Sequence, residues 1–234
     1  MEHGCLCLLG DSVCKGVVLD LEKNRYVHEK ASFGNLVAES GLMEVKNYSQ
    51  FGCTISKGQR IAQQRLEQIV SSEVTILEFG GNDSDHNWAE IAADPDGQHL
   101  PNTVIAEFKT RYRQLISQLR AAGENVAVMN LPPIDAHKYF AWFSRGLSQS
   151  NILKWLGGDV EYVYRWHEIY NQQICNLCNE LRVPLIDIRS TFLAYRNYSD
   201  FLCCDGIHPN AKGHGLLFGV VEQFLKGIGQ VACA

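Results

Sequence analysis

Residues 5–12 read Cys5-Leu6-Cys7-Leu8-Leu9-Gly10-Asp11-Ser12. Five apolar residues in a row, without polar alternation, suit a parallel strand buried on both faces. The run then breaks on Gly-Asp-Ser, residue types that leave a strand through a tight turn. Four later stretches have the same short apolar character: Val45–Ser49, Val74–Phe79, Val126–Leu131 and Pro184–Ile188. Helical patterns fall between and after them, at about Phe33–Ser40, Ser56–Val70, Thr103–Ala122, Glu161–Leu181 and Ala211–Leu225. In the third pattern Leu115, Ile116 and Leu119 form an apolar stripe, and Gly123 stops the helix just past its end. Strands alternating with helices make right-handed βαβ crossovers. The expected fold is α/β: a flavodoxin-like three-layer α/β/α sandwich with a five-stranded parallel sheet, as a single domain over residues 1–234.

Composition narrows the class of function. The chain has 234 residues, 46% hydrophobic and 20% charged, which suits a packed core and argues against disorder. A net charge of −5 with scattered Lys and Arg leaves no footprint for nucleic acid or anionic lipid. No apolar run approaches a membrane span. The chain enters its first strand almost at once, with no basic, apolar and small-residue order of a signal peptide, so the cytoplasm is expected. Nine cysteines at irregular spacing make a poor disulfide framework. Cys175-x-x-Cys178 has metal-like spacing but lacks a second half-site, so no metal and no cofactor are expected. Cys5, Cys7, Cys53, Cys175, Cys178 and Cys233 read as small core hydrophobes.

In open parallel sheets the ligand crevice lies beyond the carboxyl ends of the strands. Ser12, Gly52 and Asn82 fall just past the ends of the first three expected strands. Two long connections also leave strand ends, Asp83–Asn102 and Pro132–Asp159. The second, an insertion over 132–159 near the site, carries Tyr139, Phe140, Trp142, Phe143 and Trp155. Such excursions build site walls or a small helical core of their own.

Far along the chain stands Asp205-Gly206-Ile207-His208-Pro209. A serine hydroxyl is a weak nucleophile until a neighbouring base takes its proton. His208 can act near neutral pH. Asp205, three residues earlier on one turn, can hold its ring and stabilise the imidazolium. Taken singly the motifs are weak, and Ser12 alone reads equally well as a helix N-cap. Their order, each at the end of an element, is the strong signal.

That joint pattern resembles the SGNH hydrolase superfamily, the GDSL-type esterases, over essentially the whole chain. Gly10-Asp11-Ser12-x-x-x-Gly16 is similar to its nucleophile motif, and Asn47-x-Ser49-x-x-Gly52 to its second. Gly80-x-Asn82-Asp83 is similar to the third, and Asp205-x-x-His208-Pro209 to the last. The resemblance implies catalytic Ser12, Asp205 and His208. It also implies an oxyanion hole from the backbone N–H groups of Ser12 and Gly52 and the side chain of Asn82. Ser49 departs from the glycine common there, and Val13-Cys14 replaces the leucine of the name-giving tetrapeptide. Asp11 is expected to bond the loop backbone, and Asp83 its own turn. Asp135 and Asp187 lack a nearby histidine. His86, His99, His137 and His214 are read as surface residues or as neighbours of the site.

The function implied is a serine-dependent carboxylic ester hydrolase acting through an acyl-enzyme. Its expected partner is a small-molecule ester with a short acyl group, such as an O-acetylated carbohydrate, and not nucleic acid or a membrane. Alternatives are a lysophospholipase or thioesterase, an idle ligand-binding protein on the same fold, and a metallohydrolase using Cys203, Cys204, His208 and His214. Oligomeric state is open at this stage.

Overall fold

The computed structural model describes residues 4–232. Seven strands form: β1 Cys5–Gly10, β2 Val17–Asp20, β3 Arg25–His28, β4 Glu44–Asn47, β5 Val74–Glu78, β6 Val126–Met129 and β7 Leu185–Ile186. Five of them make one parallel sheet in the order β4-β1-β5-β6-β7. Numbered among themselves these strands run 2-1-3-4-5, the flavodoxin-like order. The expected fold class is therefore what forms.

The sheet is covered on both faces because its strands are apolar on both faces. From β1, Cys7 and Leu9 join one core with Leu77, Val128 and the helical residues Phe108, Tyr112 and Ile174. Leu6 and Leu8 join the other, with Ile76, Met129, Phe33 and Leu217. Thr75 breaks the apolar pattern early in β5, and its hydroxyl is taken up by the Glu124 carboxyl at 2.8 Å. Burying each large apolar side chain contributes roughly 1.5–3 kcal/mol, so the two cores dominate the stability.

Three expectations change. The fifth strand shrinks to two residues, because Asp187 turns the chain by capping the helix Ile188–Leu193 through Ser190 N at 3.1 Å. The helix expected over 56–70 breaks at Arg65 into Ile55–Gln64 and Leu66–Ile69. Residues 17–28 form an antiparallel hairpin, β2 with β3, that was not anticipated. The other helices stand close to expectation, at Phe33–Glu39, Ile105–Ala121 and Glu161–Leu181, and the last runs on to Ala232.

The segment 132–159 folds into helices Ala136–Phe143 and Gln149–Trp155. Their aromatics pack with Trp88 and Ile91 of helix Trp88–Ala93 into a satellite core beside the carboxyl end of the sheet. Among the described residues no helix is long and apolar enough to cross a membrane. Described Cys7, Cys53 and Cys178 are buried, whereas Cys5 and Cys175 are half-buried; Cys233 lies outside the described residues.

Candidate active site

β1 delivers the chain to Asp11, which caps the short helix Ser12–Lys15 by accepting from Val13 N at 2.8 Å. The cap is thus Asp11, and Ser12 is left as the first helical residue with its hydroxyl free. Ser12 Oγ lies 2.9 Å from His208 Nε2. The other ring nitrogen, His208 Nδ1, lies 2.8 Å from Asp205 Oδ2. All three residues are buried. Asp205 Oδ1 also accepts from the backbone N–H groups of Ile207 and His208, each at 3.1 Å. Burial pushes the Asp205 carboxyl up, but its bond to the His208 ring and these backbone donors outweigh it and hold it below its ordinary value. A carboxylate so held keeps the proton on Nδ1 and leaves Nε2 to accept from the serine.

The turn carrying the acid and base is clamped to its surroundings. Leu202 and Pro209 bridge across it, and Cys203 N donates to His208 O at 2.7 Å. Gly206 sits at φ +76°, where a Cβ would stand 2.6 Å from Asp135 O. Only glycine fits that position, both in conformation and in space.

Gly52 has φ +65° and nothing within 4 Å of where a Cβ would lie. Its requirement is conformational, not one of close packing. Ser49 avoids the left-handed region and adds no strain there. Asn47 joins this segment to the nucleophile helix, donating to Cys14 O at 2.8 Å and accepting from Ser49 N at 3.0 Å.

Asn82 follows β5 and donates from Nδ2 to Asp11 Oδ2 at 2.9 Å. One amide hydrogen is fixed on Asp11, and the second is left toward the crevice, which Asn82 lines together with Ser12 and His208. Asp83 bonds its own backbone, as expected, and also reaches beyond its turn. Both its oxygens accept from Ile55 N, at 3.1 and 3.0 Å, so it ties the Gly52 loop to the Asn82 loop. Burial raises its carboxyl to about 7.

Sequence reading missed several neighbours. Tyr26, from the unforeseen hairpin, sets its ring 5.0 Å from that of His208. Phe51 lies beside both rings, 5.1 Å from Tyr26 and 6.0 Å from His208, within 13° of parallel to the imidazole. Two short β-prone runs around Asn24 at φ +46° were the available hairpin signal. Glu78, at the end of β5, is buried beside Asp11. Burial first, then the charge on Asp11, lifts its carboxyl well above the usual range.

Two histidines expected at the surface or merely near the site prove buried. His214 is fully buried against Phe33, neither ring nitrogen bonded to any described residue. His86 is buried among Trp88, Trp155 and Trp166. His137 is exposed beside Glu161 at 3.2 Å, and His99 bonds Asp94 O at 2.7 Å. The alternative metal cluster does not assemble: Cys204 is exposed, Cys203 is buried, and His208 Nδ1 is engaged by Asp205. Among the described residues no three His, Cys, Asp or Glu side chains gather as metal ligands do.

Beside Ser12 opens a cavity of about 350 Å³, walled by the helices of 132–159, Trp88 and the start of helix Glu161–Leu181. It is largely apolar and aromatic, and it also includes His86 and His167.

The sequence profile of the GDSL-like lipase/acylhydrolase family matches residues 8–216, from β1 into the last helix. The chain belongs to that family. A GDSL esterase/lipase of Arabidopsis thaliana is 25% identical over 164 residues, 69% of this chain and 46% of that protein. The chain thus spans about half the length of that relative. Among solved structures, the lipase/acylhydrolase from Enterococcus faecalis superposes with a TM-score of 0.62 at 19% identity, covering 97% of this chain and 96% of its own. The acetyl xylan esterase AlAXEase gives 0.59 at 19% identity, with 94% and 98% covered. At such identities these likenesses speak for the GDSL fold alone.

Proposed function

We propose that this GDSL-family chain, acting as one catalytic domain, is a carboxylic ester hydrolase that works through an acyl-enzyme on Ser12. The observation that carries this reading is the continuous chain from Ser12 Oγ through both nitrogens of His208 to Asp205, at 2.9 and 2.8 Å. In the first step Ser12 Oγ attacks the ester carbonyl carbon while its proton passes to His208 Nε2. Negative charge appears on the carbonyl oxygen. The N–H groups of Ser12 and Gly52 and the free amide hydrogen of Asn82 stabilise it. The intermediate collapses, His208 gives its proton to the departing alkoxide, and the alcohol leaves. Water then attacks the acyl-enzyme with His208 again as base, releasing the acid and restoring Ser12.

Hydrolysis of p-nitrophenyl acetate by the wild type and by Ser12→Ala tests this. Loss of a triad nucleophile lowers turnover on the order of a millionfold. Retention of a tenth of the activity by a folded Ser12→Ala protein would remove Ser12 from the mechanism.

The substrate is a small-molecule ester, and the cavity favours one whose acyl or alcohol part is apolar and bulky. An O-acetylated carbohydrate is the second reading, supported by the fold shared with an acetyl xylan esterase. Hydrolysis of acetylated xylose beside acetyl esters of apolar alcohols separates the two.

A further inference from the structure

The cavity beside Ser12 combines two features that an acyl-chain pocket does not need together. Away from His208 its wall is aromatic, including Trp88, Tyr139, Phe143, Trp155, Tyr162 and Trp166. They brace one another, with Trp88 on Phe143 at 4.0 Å and Trp155 edge-on to Trp88 at 6.1 Å. Most buried polar atoms of this wall are engaged within the protein. Trp88 Nε1 donates to Asp85 Oδ1 at 2.8 Å, Trp166 Nε1 to Ser84 O at 3.0 Å, and Ser84 Oγ to Gly81 O at 2.9 Å. The Tyr139 hydroxyl is held by the Asp85 carboxyl.

Two imidazoles are not engaged. His86 is more than nine-tenths buried with Trp155 5.1 Å away and Trp166 5.9 Å away, ring centre to ring centre. His167 is buried to a similar degree, and its Nδ1 has no partner among the described residues. No hydrogen bond from the described residues acts on either ring, and burial lowers them to about 4 and about 3. Both are therefore neutral at pH 7, each offering one donor and one acceptor nitrogen. A buried polar group without a partner is destabilising, and a ligand that supplies the partner relieves that cost.

Three candidate occupants differ in how they meet those two groups. An alkyl chain fills the space and leaves both imidazoles unpaired. A sugar ring brings several hydroxyls to a wall whose unengaged buried polar side chains are His86, His167 and, beneath Ser12, Glu78 with both oxygens sealed from the cavity, so most of them are desolvated without return. A planar aromatic ring with a hydroxyl matches both the aromatic wall, through offset or edge contacts, and the free nitrogens.

Resting on the hydrolase reading above, we propose that this cavity is a subsite for a hydroxyaryl group carried by the ester, with its hydroxyl hydrogen-bonded to His86 or His167. The volume of about 350 Å³ accommodates one such ring and its short linker, at the small end of ligand pockets at roughly 300–1,000 Å³.

Two matched ester series test this and tell whether the ring lies on the acyl or the alcohol side. The acyl series is ethyl 3-(4-hydroxyphenyl)propanoate, ethyl 3-phenylpropanoate and ethyl octanoate. The alcohol series is 2-(4-hydroxyphenyl)ethyl acetate, 2-phenylethyl acetate and octyl acetate. The saturated linkers insulate the ester from the hydroxyl electronically. On one series kcat/KM should rank hydroxyaryl over phenyl over octyl, with the hydroxyl worth about tenfold, the effect of one net hydrogen bond. In His86→Phe/His167→Phe the hydroxyaryl-to-phenyl ratio should fall to about one or below. That ratio is taken on a single protein, so it is independent of the folded fraction. An octyl ester preferred in both series, or no hydroxyl advantage in the wild type, overturns the proposal. Either result would leave the Ser12 reading intact if p-nitrophenyl acetate is still cleaved in a Ser12-dependent way.

Discussion

His208 has both ring nitrogens engaged, one by the acid that orients it and one by the serine it serves. Asn82 is divided in a similar way. One amide hydrogen holds Asp11 Oδ2, and in the proposed mechanism the other serves the developing oxyanion. An oxyanion donor acts on charge that exists only in the transition state. Asn82→Ala should therefore lower kcat by roughly a hundredfold to a thousandfold with KM little changed. Steady-state kinetics on p-nitrophenyl acetate decide it. A large rise in KM at unchanged kcat would make Asn82 a substrate-binding residue instead. Ser12, Asn82, Asp205 and His208, to which the proposed mechanism gives these roles, could be picked out in the sequence because few other side chains can do those jobs. Tyr26, Glu78 and the burial of His86 and His214 could not. Their significance lies in which distant residues surround them, and no local spacing encodes that.

At the scale of elements, Asp83 links two loops that the sequence separates by 28 residues, accepting from Ile55 N with both oxygens. Asp83→Ala strands that buried N–H and should cost about 1–3 kcal/mol of stability. Urea unfolding measures it, and a variant as stable as the wild type would show that the tie is dispensable. The last helix carries a second test. Burial lowers His214 to about 4, against an ordinary 6.5. Between those values the unfolded chain binds a proton that the folded chain does not. Its contribution to stability is therefore full above about pH 6.5 and is lost as pH falls toward 4. The loss is about 1.4 kcal/mol for each pH unit in that window. The stability of His214→Leu relative to the wild type should improve by about 2 kcal/mol on going from pH 7.5 to pH 5.0. The raised carboxyls of Asp83 and Glu78 act in both proteins and cancel. A difference that does not change with pH would mean His214 titrates alike in both states. Element boundaries were the less legible part. Arg65 breaks a continuous helical pattern where its backbone leaves the helical region (φ −119°), and Asp187 cuts the fifth strand short by capping the next helix; apolar periodicity registers neither.

Over the whole molecule, the strand order β4-β1-β5-β6-β7 places the topological switch point between β1 and β5. The ends of β1 and β5 therefore open onto one crevice, and the final turn before the last helix brings Asp205 and His208 over it. That architecture was legible because parallel buried strands and amphipathic helices differ in apolar period. The shape of the cavity was not, because it is set by how the helices of 132–159 pack on Trp88 and on helix Glu161–Leu181. The central claim is that Ser12 is activated by His208 and forms a covalent adduct at its oxygen. A fluorophosphonate, incubated with the wild type, Ser12→Ala and His208→Ala and followed by peptide mass mapping, tests this directly. The account predicts one adduct in the wild type, on the peptide containing Ser12, none in Ser12→Ala, and labelling slowed by orders of magnitude in His208→Ala. An adduct on another residue, or undiminished labelling of Ser12→Ala, would contradict it.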